Sequence, residues 1–482
     1  MMKGLFAIAS LFSWTVSSDS NNLHKSEKII CQIPIEREKD SANTSSAQIP
    51  PDRFFFVNDI CLPARLYMLS GVENNIFVEP LLKRWRPYDD VVRFSGSTIF
   101  QRRLARVASI NAPKQGATVA VSLINTDHFD TVKTITSTII VGQQGVGTDS
   151  IAVSIIGDSF TNGSFFKDAL LAKGYVPKLQ LIGLRDVAGY PGQSDEGRGG
   201  WTLANYFSVS NQRTQSYNGF WQPDGAYRYW GATEFWQLAN AVRREPGRDW
   251  TFAEKYFAGR FTTQSLRFDQ QTGYKLDPMI NDIMYDNALG YYMRYNGKKW
   301  IRTAYEDFTW HFDYGKYLAM WKLKAPSILA EFLGLNDFRS EPVPQKIDFS
   351  TWNEKIKTVI ASYLKAVPDG KFIIMIPSST CGTLDNAAGD FTIKQNATMW
   401  ELRQNIIKNF DGREKEHIYI VDAAIAIDNL NGFNVTADTT MTKPYSQYAG
   451  NEHIVVQTGN PHPYPNYPGM GLSLAAFIQT CR

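Results

Sequence analysis

The feature that most constrains this chain is a short, mainly apolar run that leads directly into a polar, glycine-containing turn. The run, Ile151–Ile156, is rich in β-branched side chains, which is typical of a strand buried on both faces of a sheet. Four later runs have the same character: 178–184, 327–333, 372–376 and 418–421. The chain therefore contains a series of buried strands.

Helical patterns lie between these strands. In each of the two clearest patterns the apolar side chains share one helical face, at positions 356, 359, 360, 363 and 364 in the first and 399, 402, 406 and 410 in the second. Alternation of strands with helices predicts a parallel sheet, and right-handed crossovers then predict a three-layer α/β/α sandwich of about five strands. Because such sheets bind ligands at the carboxyl ends of their strands, we expect the chemistry at that edge.

The first residues have the three parts of a secretory signal peptide. Lys3 precedes the apolar run Gly4–Val16, and the small pair Ser17–Ser18 follows it, so residues 1–18 are expected to be cleaved. The alternative is a membrane anchor, but the run is too short for a bilayer of about 30 Å, and no later stretch is long enough. We therefore expect a secreted or periplasmic protein with no integral membrane segment after cleavage.

Two segments precede the α/β region, which spans 150–482. Residues 19–50 are polar and are interpreted as a linker, because such a composition cannot bury much apolar surface. Residues 51–149 contain short β-rich runs, such as 118–123 and 134–141, which predict a small all-β domain. This domain is interpreted either as a packing module for the next domain or as a sugar-binding sandwich.

A long insert, about 206–326, separates the second and third buried strands. It carries seven tryptophans and is too long for a simple crossover. We expect it to hold helices of its own, near 233–243 and 314–322, and loops that cover the strand ends.

Charge and residue spacing exclude several kinds of partner. The chain has 50 Lys and Arg against 47 Asp and Glu and no dense basic run, so no nucleic-acid partner is expected. No HExxH motif, metal-spaced carboxylate cluster or phosphate-binding glycine loop occurs, and we predict no cofactor and no metal. The cysteines lack the close spacing of a structural zinc site, and export permits disulfides without specifying their pairing. They are Cys31, Cys61, Cys381 and Cys481.

The first buried strand runs into a serine at the carboxyl edge of the predicted sheet, within Gly157-Asp158-Ser159. A serine at a strand-to-helix turn exposes its hydroxyl close to helix amides, which can stabilise a developing oxyanion. We expect the helix itself to begin near Ser164. The alternative is that Ser159 or Asn162 serves only as the N-cap of that helix.

Two further turns and one loop supply the other groups that acyl transfer needs. Gly199 and Gly200, after the second strand, can offer a backbone N–H to an oxyanion, and Asn336, after the third, can offer a side-chain amide. His462 lies on a loop just before the predicted terminal helix 472–480.

This ordered set resembles the SGNH hydrolases, also called the GDSL esterase and lipase family, over roughly 151–482. The matching blocks are GDS at 157–159, GGWT at 199–202, GLND at 334–337 and HP at 462–463. The resemblance implies a three-layer, flavodoxin-like α/β/α fold. It also implies roles for four residues, with Ser159 as the nucleophile, His462 as the general base, and the Ser159 amide, Gly200 amide and Asn336 side chain as the oxyanion hole.

The chain departs from the family pattern next to the histidine. The family places an aspartate three residues before it, where this chain has Gly459. Loss of that carboxylate from a triad that relies on it costs roughly 10⁴-fold in rate. Three arrangements stay open: a Ser–His dyad oriented by a backbone carbonyl, a nearby carboxylate from Asp438 or Glu452, or the Asn460 side chain.

The expected reaction is hydrolysis of a carboxylic ester through an acyl-enzyme. Export, the tryptophan-rich insert and the appended β-domain indicate a small-molecule or polysaccharide ester substrate, most specifically carbohydrate O-acetyl groups, because aromatic faces stack on sugar rings. Lipid and aryl esters are alternatives within the same family. The alternative from another class is a non-catalytic glycan-binding protein on a hydrolase fold, which the missing aspartate would permit.

Overall fold

The computed structural model describes residues 58–83, 90–104, 106–126, 129–163, 166, 168–187, 189–208, 210–211, 216–227, 229–230, 279–286, 291–338, 347–378, 393–428, 435–437, 454–456 and 469–482. The chain divides into two compact units, Met1–Phe55 and Phe56–Arg482, and every described residue belongs to the second. The predicted signal peptide and linker lie outside the described residues.

The first seven strands form two small sheets. The four-stranded sheet has the order β1-β7-β6-β3 and the three-stranded sheet the order β2-β5-β4, and both are antiparallel apart from the β1–β7 pair. The strands predicted at 118–123 and 134–141 are confirmed in β6 and β7. The bounds are β1 Arg65–Leu69, β2 Asn74–Phe77, β3 Asp90–Ser95, β4 Arg102–Arg103, β5 Val107–Ile110, β6 Thr118–Asn125 and β7 Thr131–Gly142.

The remaining strands form the central parallel sheet, several small sheets of the insert and a short hairpin near the C-terminus. Their bounds are β8 Ile151–Gly157, β9 Leu179–Leu181, β10 Arg185–Asp186, β11 Ser194–Gly197, β12 Ser210–Asn211, β13 Ser216–Tyr217, β14 Trp221–Pro223, β15 Tyr229–Trp230, β16 Ile283–Asp286, β17 Tyr291–Tyr295, β18 Trp300–Thr303, β19 Trp310–Phe312, β20 Ile328–Phe332, β21 Lys371–Ile376, β22 Ile418–Asp422, β23 Val435–Ala437 and β24 Ile454–Val456.

The central sheet has seven strands in the order β10-β11-β8-β20-β21-β22, with β9 paired to β8. All of its pairs are parallel except β10 with β11 at the edge. Every residue of β8 and β20 is buried, which explains why both strands are continuous apolar runs rather than alternating ones. The predicted parallel sheet is confirmed, together with separate β-sheets before it and within the insert.

The sheet differs from the prediction in one informative place. The sequence predicted one strand at 178–184, whereas the structure has β9 there and adds β11 as the neighbour of β8. The β11 strand reads Ser-Asp-Glu-Gly, yet all four residues are buried. Hydropathy could not reveal it, because the polar side chains are buried with hydrogen-bond partners: Asp195 accepts from Gly197 N–H within the strand, and Glu196 accepts from Leu184 N–H and from the Tyr317 hydroxyl.

The predicted helices at 314–322, 356–364, 399–410 and 472–480 are confirmed in position, and the one at 233–243 lies outside the described residues. No helix among the described residues is long and apolar enough to cross a membrane. The bounds are α1 Ser159–Asn162, α2 Tyr314–Met320, α3 Leu335–Phe338, α4 Ser350–Ala366, α5 Ile393–Phe410 and α6 Leu472–Thr480. Shorter 3₁₀ turns lie at Glu79–Leu81, Leu203–Phe207, Tyr305–Asp307, Glu414–Glu416 and Ala424–Ala426, and a π turn at Asp168–Ala172.

The N-terminal sheets pack directly on the helices of the α/β region. A side chain at Gly142, the last residue of β7, would overlap the backbone of Ala476 in α6. The Trp400 indole of α5 donates to Leu81 O at 3.0 Å, and beside it Lys83 pairs with Glu401 at 2.6 Å. The cysteines within the described residues, Cys61 and Cys481, are free thiols.

Candidate functional site

The serine of the first motif lies where the central strand β8 turns into α1. The Asp158 carboxylate accepts from Phe160 N–H at 2.9 Å and so caps the helix, which begins at Ser159 itself rather than near Ser164. Ser159 and Asn162 are the first and last residues of α1, so neither is its N-cap, a position that Asp158 fills. Gly157 is needed at the turn, since a Cβ there would overlap the Thr161 hydroxyl.

The glycine pair lies in a tight turn at the end of the neighbouring strand β11. Arg198 N–H donates to Gly157 O at 2.8 Å, and Trp201 N–H closes the turn by donating to Arg198 O at 3.1 Å. Gly200, the third residue of the turn, has φ +74°, as a type II turn requires, whereas Gly199 is not in that region. The turn therefore lies directly beside the end of β8 that carries the serine.

Asn336 connects these two turns. It lies in α3, just after β20, and its Nδ2 donates to Asp158 Oδ2 at 3.2 Å and to Trp201 O at 3.0 Å. The two amide hydrogens therefore bind the side chain of Asp158, which precedes Ser159, and the carbonyl of Trp201, which follows Gly200. An oxyanion that binds Asn336 must replace or share one of these two bonds.

Three of the four predicted site residues are thereby brought to one edge of the sheet, the carboxyl ends of β8, β11 and β20. The fourth, His462, lies outside the described residues. So do Gly459 and the three side chains considered as its replacement, Asp438, Glu452 and Asn460.

Beside Asn336, Asp337 holds the other side of the glycine turn. Its two carboxylate oxygens accept from Leu203 N–H at 3.0 and 3.2 Å. Burial raises the pKa of Asp337 to about 6, although the backbone hydrogen bonds and the positive charge of Lys355 lower it. The neighbouring residues Asn336 and Asp337 therefore bind the two ends of the segment Trp201–Leu203, at Trp201 O and at Leu203 N–H.

Glu331 is a further buried carboxyl at the same strand end. It lies on β20 with its carboxyl buried, and the backbone N–H of Leu333 is near enough to lower its pKa. Burial, reinforced by the nearby carboxylate of Asp337, raises the pKa of Glu331 well above its usual range. Sequence reasoning missed Glu331, although a lone glutamate in an otherwise apolar strand is the signal that marks it.

We expect Asp337→Asn to flatten the dependence of stability on pH between about pH 4 and pH 6. The folded protein binds the Asp337 proton near pH 6 and the unfolded chain near pH 4, so the folded state carries more protons in this window. Stability contributed by this group therefore falls as pH rises from 4 to 6. Urea unfolding of both proteins at pH 4, 5 and 6 measures the difference.

The charged groups that face Asp337, Glu331 and Lys355, are present in both proteins, so the difference between the two curves reports Asp337 together with its coupling to Glu331. Identical slopes for the wild type and the variant would contradict the raised pKa.

The described histidines lie elsewhere. His311, on β19 in the insert, contacts Asp224 at 2.9 Å and Asp313 at 3.4 Å, and His417 lies at the turn before β22. Within the ranges that the structure describes, no group of three or more His, Cys, Asp or Glu side chains is placed to hold a metal ion.

No family model and no curated protein matches the sequence. Among solved structures, a possible lipase from Chitinophaga pinensis DSM 2588 is 14% identical, with 69% of this chain and 95% of that chain covered and a TM-score of 0.28. A carbohydrate esterase family 2 enzyme with a carbohydrate-binding domain from Corynascus thermopiles (Myceliophthora fergusii) is 11% identical, with 75% and 84% covered and a TM-score of 0.24. Likenesses with such low TM-scores carry no weight for the function.

Proposed function

We propose that this protein is an exported serine esterase of the SGNH type, with Ser159 as nucleophile and His462 as general base. One observation supports this most: the Asn336 amide bridges Asp158, next to the serine, and Trp201, next to the candidate oxyanion glycine. A dead scaffold has no physical reason to gather a serine, a glycine turn and an amide donor at one strand edge. The three-layer arrangement of the family belongs to the same proposal.

In the proposed reaction, His462 takes the Ser159 hydroxyl proton while Oγ forms a bond to the ester carbonyl carbon. The negative charge on the carbonyl oxygen is stabilised by the N–H groups of Ser159 and Gly200 and by the Asn336 amide. His462 returns the proton to the leaving alcohol as the ester bond breaks. Water then attacks the acyl-enzyme by the same route and releases the acid.

The substrate class that fits best is an O-acetyl ester of a carbohydrate. The insert is rich in rings, among them the stacked pair Tyr305 and Trp310, whose centroids are 4.8 Å apart, and the half-buried pair Tyr295 and Trp300. Rings that are already ordered by packing suit sugar faces, since they lose little freedom on binding. The N-terminal sheets are proposed as the packing module for this domain.

A covalent label tests the proposal directly. A fluorophosphonate reacts with an activated serine, and we expect intact-mass and peptide analysis to place one phosphonyl group on Ser159. The full chain should also release acetate from acetylated xylan and nitrophenol from p-nitrophenyl acetate. Folded protein with neither label nor turnover would contradict the proposal and favour the glycan-binding alternative, which a glycan array then examines.

A further inference from the structure

We infer that the buried ion pair between Glu196 and Arg198 is a positioning device that holds the Gly200 turn for catalysis. This inference rests on the proposed function, because it concerns how the oxyanion donor of that site is kept in place. Glu196 and Arg198 flank the glycine motif in sequence, and the resemblance assigns a role to neither.

Arg198 is a charged side chain enclosed completely by protein. Its side chain and that of Glu196 are both 0% exposed, and the guanidinium Nη1 contacts Glu196 Oε2. Burial disfavours the cation, but the adjacent carboxylate more than compensates and raises the pKa of Arg198. The buried guanidinium of Arg198 therefore depends on its contact with Glu196.

Aromatic rings fix the direction of the guanidinium. Its carbon lies 4.9 Å from the centre of the Trp201 ring, 5.6 Å from Tyr206 and 5.8 Å from Phe220. Trp201 is also the last residue of the turn that begins at Arg198, so the side chain of the first turn residue packs on that of the last. This cation–π contact resists opening of the turn.

Glu196 is fixed in turn by groups from other elements. Its Oε1 accepts from Leu184 N–H at 2.7 Å and from the Tyr317 hydroxyl of α2. The Tyr206 hydroxyl lies 2.7 Å from Glu196 O and 3.0 Å from Gly157 O and shares its single hydrogen between them, which joins β11 to the end of β8. The ion pair is therefore anchored to the strand that carries the nucleophile.

These contacts leave Gly200 between two fixed points. Arg198 N–H is held by Gly157 O at 2.8 Å, and Trp201 O accepts from Asn336 at 3.0 Å. An oxyanion donor accelerates a reaction only if it is already aimed at the developing charge. A misplacement on the order of 1 Å costs about 10²-fold, so loss of the pair should act on the rate as well as on stability.

A second buried pair offers a matched control. Arg403 of α5 binds Asp422, at the end of β22, with Nη2–Oδ2 of 2.6 Å and side chains 1% and 2% exposed. Removing one partner of a buried pair is strongly destabilising wherever it lies, because it leaves an unpaired charge. The Arg403–Asp422 contact involves none of the turn residues 198–201. Substitution of Arg403 should therefore lower stability without moving the turn.

The test compares Arg198→Met with Arg403→Met in the full chain, at a temperature at which both are folded. We expect R198M to lower kcat on p-nitrophenyl acetate by about 30-fold with KM changed less than about threefold. Inhibition by phenylboronic acid, which forms a tetrahedral adduct with an active serine, should weaken by a similar factor. R403M should keep kcat within about twofold.

The double variant Glu196→Gln with Arg198→Met keeps the inference testable if R198M alone does not fold. It leaves no unpaired buried charge, so its stability should recover, while its kcat should stay low because the ionic anchor is gone. A folded R198M or double variant with wild-type kcat would overturn the inference. An equal loss of kcat in R403M would also overturn it, since the effect would then be general.

Hydrogen exchange separates failure of this inference from failure of the proposed function. Amide exchange in a peptide spanning residues 197–202 should quicken at least about tenfold in R198M and not in R403M, whether or not the protein hydrolyses the chosen ester. A wild type without serine-dependent turnover overturns the proposed function. Unchanged exchange in R198M overturns the positioning role by itself.

Discussion

Replacing Ser159 with alanine is expected to lower kcat on an acetyl ester by about 10⁴- to 10⁶-fold. The variant has no group to form the acyl-enzyme, so only uncatalysed attack by water within the oxyanion hole is left. The fold should be retained, because the helix cap is supplied by the Asp158 side chain and not by the Ser159 hydroxyl. Steady-state rates of nitrophenol and acetate release measure the loss.

The same prediction extends to the base, because a nucleophile and its base act as a unit. His462→Ala should lower kcat nearly as much as Ser159→Ala does. The double variant should have a kcat no lower than that of the serine variant alone. Additive losses would mean that the two side chains work independently and that another group activates the serine.

Ser327→Ala is the matched control. Ser327 lies at the amino end of β20, where its hydroxyl contacts Ala152 O at 3.2 Å, on the edge of the sheet opposite to Ser159. The kcat of the Ser327→Ala variant should stay within about twofold of that of the wild type. A Ser159→Ala protein that is folded and fully active would end the hydrolase hypothesis.

The second large effect is expected at Asn336. Removing one oxyanion donor typically costs about 10²- to 10³-fold in kcat, and we expect Asn336→Ala to fall in that range with little change in KM. The loss has two sources, since the amide donates to the transition state and also ties Asp158 to Trp201.

Asn336→Asp tests whether the amide must donate, because it removes both hydrogen bonds while keeping the size of the side chain. It has the shape of asparagine but accepts rather than donates, and it places a second carboxylate beside Asp158, so we expect kcat at or below that of Asn336→Ala. The control is Asn353→Ala, which removes an amide that donates to Asn405 at 3.0 Å between α4 and α5. An Asn336→Asp enzyme with near wild-type kcat would exclude Asn336 from the oxyanion hole.

Much of the fold could be predicted from local patterns. The apolar runs that became β8 and β20 and the helical repeats within α4 and α5 depend only on which faces of an element are buried. The polar strand β11 could not be predicted in this way, because the buried state of Glu196 depends on Leu184, Arg198 and Tyr317, two of which belong to other elements.

For the candidate site, too, the sequence predicted the residues but not their arrangement. Ser159, Gly200, Asn336 and His462 could be nominated from residue types and their order along the chain. Their mutual placement could not, since Asn336 lies 178 residues from Asp158 and 135 residues from Trp201 in sequence.

By itself, then, the amino-acid sequence determined the alternation of buried strands with amphipathic helices and nominated candidate residues for acyl transfer. Both follow from side-chain chemistry and short-range periodicity. Only the tertiary structure decided that Asp158 caps the helix, that the Asn336 amide joins two turns, and that a charged pair lies beneath the glycine turn. The Asn336 contacts join segments far apart in sequence, and the other two are local contacts whose burial depends on the rest of the fold. A buried polar group is tolerated only where folding brings its partner within hydrogen-bond distance.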